Sequence, residues 1–246
     1  MSAYGAILTP NRTAGPLPTT RWRLQPTSKY TPAPDAHLTI HHLTLATARA
    51  VPGLVEYLHK VFADELERGL TYPQEIRAGE EYALETFEAY YFAADVLVAV
   101  IGEGGSGEEI VDGGEVELGI GDAVKGRSME ECIAGCYYVK PNYPGRSSHI
   151  CNAGFLVPPA QRGRGIGAVL ARSYLHYAPR LGFEASVFNL VYKNNAASVR
   201  LWEALGFTKA GLIPRAGRLK KADGSEGEEF VDAYVFYRKF DQCPSQ

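Results

Sequence analysis

The chain has 246 residues, 46% of them hydrophobic, which is enough to bury a full core in one large domain or two small ones. Its formal net charge is −3 and its pI about 6.1, so it offers no basic field with which to grip nucleic acid. The longest wholly apolar run, 96–101, is far short of a membrane span, and no secretory signal is read at the start.

The first 34 residues contain no Asp or Glu but carry Arg12, Arg21, Arg23 and Lys29, a composition that mitochondrial transit peptides share. Six prolines, from Pro10 to Pro34, prevent the amphipathic helix such peptides form. Residues 1–35 are therefore expected to be a disordered or extended arm, and the compartment the cytoplasm, with the mitochondrion as the alternative. Residues 36–246 are expected to form a single domain.

A strand is expected at 38–45 and a helix at 51–68, where Leu54, Leu58, Val61, Phe62 and Leu66 fall at helical spacing and Gly69 stops it. A second amphipathic helix is expected at 80–93, then a buried strand at 96–101. Residues 102–131 hold nine glycines and nine acids, which predicts a flexible loop outside the core between two antiparallel strands. Strands at 132–140 and 152–157, a helix at 165–181, a strand at 185–192 and a helix opened by Asn195 and closed by Gly206 follow. The last strands are expected at 208–213 and 230–239, joined by a polar loop at 218–229. Cysteines 132, 136, 151 and 243 form no CxxC pair and have no His at zinc spacing, so they read as reduced thiols, and no metal site is expected.

The chemistry concentrates in 151–207. Arg162, Gly163, Arg164, Gly165, Ile166 and Gly167 alternate glycines just before a helix. Glycine reaches positive φ and admits a phosphate close to the backbone, successive amides form an anion-binding concavity, and the helix dipole points at the same spot. A diphosphate-bearing cofactor is expected. Gly163, Gly165 and Ala168 also satisfy a loose dinucleotide fingerprint, but the next strand ends without the required acid; no Lys-Ser/Thr pair follows for a P-loop either.

What remains is RxxGxG at 162–167, followed 28 residues later by Asn195-x-x-Ser198-x-x-Leu201-Trp202-x-x-Leu205-Gly206-Phe207. The two patterns in this order resemble those of GNAT-type N-acetyltransferases. A closer resemblance, through TYPQE (71–75), YVKPNYPGRSSHICNAGFLV (138–157), FNLVYKNNAAS (188–198) and GLIPRAG (211–217), is to the fungal azetidine-2-carboxylate N-acetyltransferases, which detoxify a proline analogue. It covers most of 51–240 and leaves the first 35 residues and 102–131 unaccounted for.

The resemblance implies an α/β fold with a mixed, largely antiparallel sheet and helices on both faces. It implies acetyl-CoA as cosubstrate, no metal, and a small-molecule amine as partner, and it leaves a homodimer open. Arg162, Gly163, Arg164, Gly165, Ile166 and Gly167 then hold the pyrophosphate, the backbone edge of Phe155, Leu156 and Val157 pairs with the pantetheine arm, and Asn195 caps its helix and reaches the thioester region. Asn152 and Asn189 match asparagines that the azetidine group places in its active site. Trp202 stands where many GNAT enzymes have a tyrosine acid, a role indole cannot fill. No carboxylate lies in 147–152 to act as base. His149, the histidine nearest the expected cleft, is a candidate base, and Arg146 is a candidate partner for a substrate carboxylate. The alternatives are a GNAT enzyme for a polyamine or a protein amino terminus, and a non-catalytic acyl-CoA sensor.

Overall fold

The computed structural model describes residues 15–77, 79–102 and 109–240. In chain order the elements are β1 (Thr19–Arg23), β2 (His37–Leu43), α1 (Leu45–Arg49), α2 (Leu54–Arg68), α3 (Leu84–Tyr91), β3 (Asp95–Ile101), β4 (Gly114–Val116), α4 (Ile120–Ala123), α5 (Met129–Cys132), β5 (Ile133–Pro141), β6 (Ile150–Leu156), α6 (Ile166–Arg180), β7 (Ala185–Tyr192), α7 (Ala196–Ala204), β8 (Thr208–Lys220) and β9 (Glu228–Lys239). The strands form one nine-stranded sheet in the order β4-β1-β2-β3-β5-β6-β7-β9-β8. Every neighbouring pair is antiparallel except β6 and β7.

Helices cover both faces. On one, Leu170, Tyr174 and Ala178 of α6 and Trp202 of α7 pack on Tyr137, Val139, Cys151 and Phe188. On the other, Leu58, Phe62 and Leu66 of α2 and Phe87 and Tyr91 of α3 pack on Val96, Val98, Tyr138 and Leu156. Alternate residues of a strand point to opposite faces, so β5 and β6 feed both cores. The expected helix at 51–68 begins at Leu54: Pro52 and Gly53, the latter at φ 79°, part it from the short α1, which carries its own Thr44–Thr47 capping box. Gly69 ends α2 in the left-handed conformation, as the sequence predicts.

Three expectations are corrected. Residues 15–35 are no loose arm, because Thr19–Arg23 pairs with both β2 and β4 and buries Trp22 and Leu24. Residues 109–131 are no loop outside the core: they supply β4, α4 and α5 and bury Ile110, Ile120, Ala123 and Val124. One of their acids, Asp112, ties the amino-terminal segment to α6, accepting from the Arg23 amide at 2.8 Å and pairing with Arg172 at 3.3 Å. The glycine- and glutamate-rich 103–108 lies outside the described residues. The polar loop at 218–229 is shorter than expected, because β8 and β9 pair from Lys220 and Glu228 onward.

Candidate active site

The site begins with a fault in the sheet. β6 and β7 pair only at Ile150 with Ala185 and Cys151 with Ser186, extended by the Glu184 amide donating to the His149 carbonyl at 2.9 Å. Beyond Cys151 the two strands diverge, and 152–156 keep a strand partner only on the β5 side. Bulk holds the gap open: the rings of Phe188 and Trp202 lie 4.4 Å apart by centroid, and Phe155 meets Trp202 at 5.1 Å, so three aromatic side chains wedge the diverging strands. Trp202 is 5% exposed and donates its indole N–H to Ser198 Oγ at 3.0 Å, a packing role.

At the open end of the gap stands the glycine turn. Gly163 and Gly165 have φ of 78° and 79°, and Gly165 caps α6. The backbone N–H groups of 163–167 find no acceptor among the described residues; the first amide of the helix with one is Ala168, bonded to the Gly165 carbonyl at 3.1 Å. A Cβ at Gly167 would meet nothing within 4 Å. Five consecutive donors at the start of a 15-residue helix, with open space above them, fit a pyrophosphate. Residues from the amino-terminal segment back the turn: Thr27 Oγ1 donates to the Gly163 carbonyl at 3.0 Å, and a Cβ at Gly165 would meet Thr27 Cγ2 at 3.2 Å.

The two arginines of the turn are tied down. Arg162 pairs with the buried Glu65 of α2 at 2.6 Å and donates Nε to the Val157 carbonyl at 3.1 Å, while Thr71 also donates to Glu65, at 2.6 Å. Arg164 donates to Gln161 at 2.5 Å and lies over the Tyr30 ring. The Arg162 guanidinium therefore locks the turn to α2 rather than standing free for a phosphate. On the expected pantetheine edge, the Phe155 carbonyl is already taken by the Tyr72 hydroxyl at 2.9 Å and the Val157 carbonyl by Arg162.

Asn152 is the first residue past the last β6–β7 pair, at the apex of the gap, and its amide makes no side-chain hydrogen bond among the described residues. Asn189 sits on a bulge of β7, where the register against β9 slips between Phe188 and Val191, a device that re-aims a side chain. It reaches not Asn152 but Asn142, in the turn after β5. Asn195 caps α7 by accepting from the Ser198 amide at 3.1 Å. Arg146 and His149 are exposed on the β5–β6 connection, beyond the closed end of the gap, with His149 Nδ1 3.2 Å from the Arg146 carbonyl. The structure thus gathers Asn152, Phe155 and the turn along one edge and leaves Arg146 and His149 outside it.

Lys140 is a residue that motif reading misses. It is the cross-strand partner of Asn152, and burial pushes its pKa down to about 8. Tyr72, Glu65, Asn142 and Thr27 are missed likewise, although Tyr72, Lys140 and Asn142 lie inside the quoted stretches that carry the resemblance. Among the described residues no three His, Cys, Asp or Glu side chains gather as metal ligands, and no helix is long and apolar enough to cross a membrane.

A parallel strand pair that parts over a glycine turn at a helix start is the arrangement that the resemblance to GNAT enzymes leads one to expect. The model of the Acetyltransferase (GNAT) family matches residues 121–207. The chain is 44% identical over 176 residues to N-acetyltransferase aca1 of Schizosaccharomyces pombe, covering 72% of this chain and 75% of that protein. A GCN5-related N-acetyltransferase from Kribbella flavida shares the fold at TM-score 0.56 and 25% identity, over 82% of this chain and 97% of its own. So does yncA from Salmonella typhimurium, solved with its cofactor acetyl-CoA, at TM-score 0.55 and 18% identity, over 85% and 97% of the two chains. The chain belongs to the GNAT family of acetyltransferases, acetyl-CoA-dependent acyltransferases.

Proposed function

We propose that the protein transfers acetyl from acetyl-CoA to the amine nitrogen of a small amino acid, a cyclic secondary one such as azetidine-2-carboxylate or a proline relative. The observation that supports the CoA thioester is the edge of β6 without a strand partner beyond Cys151, which runs from Asn152 at the apex to five acceptor-less amides at 163–167. A CoA thioester laid along that edge brings its acyl carbon to the apex. The neutral amine attacks the thioester carbonyl, backbone N–H groups of β6 steady the oxyanion, the C–S bond breaks, and the nitrogen proton passes to the departing thiolate through water. Asn152 and Asn189 orient the acceptor and do not titrate. The name of the fission-yeast relative supports nitrogen as the acceptor atom. On this reading the role is amino-acid detoxification, and the buried free thiols of Cys132, Cys136 and Cys151 accord with the reducing cytoplasm.

Thiol release from acetyl-CoA, read with a panel of azetidine-2-carboxylate, proline analogues, polyamines and peptide amino termini, tests the reading. Turnover with the cyclic amino acids at kcat/KM well above the rest supports it. Preference for a polyamine or peptide, or binding without release, overturns it.

A further inference from the structure

Among the described residues, the Lys140 ammonium has no counter-ion. By strand alternation Tyr138 and Lys140 on β5, and Asn152 and Gly154 opposite them on β6, share the face covered by α2 and α3. Directly opposed residues hold their Cβ atoms about 5 Å apart, so Lys140 and Asn152 begin side by side. Lys140 Nζ then lies 4.0 Å from the centroid of the Tyr90 ring and 4.2 Å from that of Tyr138. The two tyrosine hydroxyls are 2.9 Å apart, which fixes both rings. Of its three protons Nζ places one, in a long bond of 3.4 Å to the Tyr90 carbonyl. Among the described residues no carboxylate lies within ion-pair range of it, although Lys193 and Lys209 each have one.

A half-buried ammonium between aromatic faces gains cation–π attraction but not the loss of its hydration, and buried charges in folded proteins are normally paired. Burial accordingly pulls its pKa to about 8. Two unused N–H donors beside the apex of the gap are a place for an anion that arrives with the acceptor.

We propose that Lys140 selects amino acids as acceptors, its ammonium receiving the carboxylate of the substrate while its neighbour Asn152 holds the group next to the reacting nitrogen. The assignment rests on the acceptor being a small amino acid. It explains how a site with Arg146 exposed beyond its closed end recognises an acid. The caged ammonium lies between Tyr90 and Tyr138, so a carboxylate drawn to it is fixed relative to the thioester edge.

The test compares L-azetidine-2-carboxylate with azetidine, the same ring without the carboxylate, in wild type, Lys140→Met and Lys140→Arg. Thermal melting and acetyl-CoA affinity verify that each variant is folded with its donor site intact. A hydrogen bond to a charged group contributes about 1.5–3 kcal/mol, so the preference for the acid over the plain amine, as the ratio of kcat/KM values, should fall roughly 10- to 100-fold in Lys140→Met. The fall should appear in KM for the acid, and Lys140→Arg should recover part of it. An equal loss of kcat with both acceptors would make Lys140 the proton acceptor instead, and an unchanged ratio would make it structural; either overturns the assignment. A wild type that acetylates azetidine but not the acid would overturn the amino-acid reading itself, a result visible before any variant is made.

Discussion

Asn142 and Asn189 exchange two hydrogen bonds, the Nδ2 of each donating to the Oδ1 of the other, at 3.1 and 2.6 Å. The pair ties the turn after β5 to the bulge of β7 and leaves each amide one further N–H for a ligand. If Asn189 orients the acceptor, Asn142 is what holds Asn189 in position. Asn189→Ala should lower kcat/KM about 10²- to 10³-fold, the scale for one positioned donor, and Asn142→Ala should lower it by a similar factor. The double variant should be no worse than either single, because the two act as one unit. Effects that multiply would show that the asparagines work separately.

The glycine turn separates stability from binding. Gly167 lacks a positive φ and has open space where a Cβ would stand, so Gly167→Ala should raise stability by about 0.4–1 kcal/mol while weakening acetyl-CoA by roughly tenfold or more. Gly165→Val should instead lose about 1–3 kcal/mol of stability, because it forces a β-branched residue to φ 79° against Thr27 and the Gln25 carbonyl. Melting curves and calorimetry on the two variants decide. Unchanged acetyl-CoA affinity in folded Gly167→Ala would remove the phosphate from this turn.

The glycine- and acid-rich stretch should behave as structure. Replacing 113–123 with a Gly/Ser linker removes β4 and the buried Ile120 and Ala123 and should cost several kcal/mol, about 2–5 for the Ile120 side chain alone. A melting temperature lowered by roughly ten degrees is expected. An unchanged melt would return the segment to the status of a free loop.

Acid should weaken the fold through His41. The side chain is 2% exposed, its ring nitrogens meet Thr39 and Thr19 hydroxyls at 2.8 and 3.2 Å, and burial lowers its pKa from 6.5 to about 4. Between those values the unfolded chain holds a proton that the native one refuses. Stability is therefore fully present above pH 6.5 and falls as the pH drops toward 4, by up to about 3 kcal/mol. Urea unfolding of wild type and His41→Gln at pH 7.5 and pH 4.5 should show a smaller loss in the variant; the same loss in both would assign the acid sensitivity elsewhere.

Periodicity and punctuation made much of the fold legible. The strand at 185–192 was readable to the residue, and Gly69, Asn195 and Gly206 end or open their helices as their chemistry requires. What stayed hidden depends on contacts between distant segments. Thr19–Arg23 looks like part of a proline-rich arm until β2 and β4 flank it, and the acids of 109–131 look like solvent-facing charge until Arg23 and Arg172 meet Asp112. In the site, the turn and the edge of β6 announce themselves locally. The pairing of Arg162 with Glu65, and the caging of Lys140 between Tyr138 and the distant Tyr90, do not, because each joins segments far apart in the sequence.

Bound as proposed, acetyl-CoA lies along the edge of β6 that lacks a strand partner, with its pyrophosphate on the amides at 163–167. Amide-resolved NMR during titration with acetyl-CoA tests this placement most directly. The N–H signals of 163–167 and of 152–156 should move together with one dissociation constant, while those of the exposed β8 edge at 208–213 stay still. Saturable binding that leaves the 163–167 amides unmoved would contradict it.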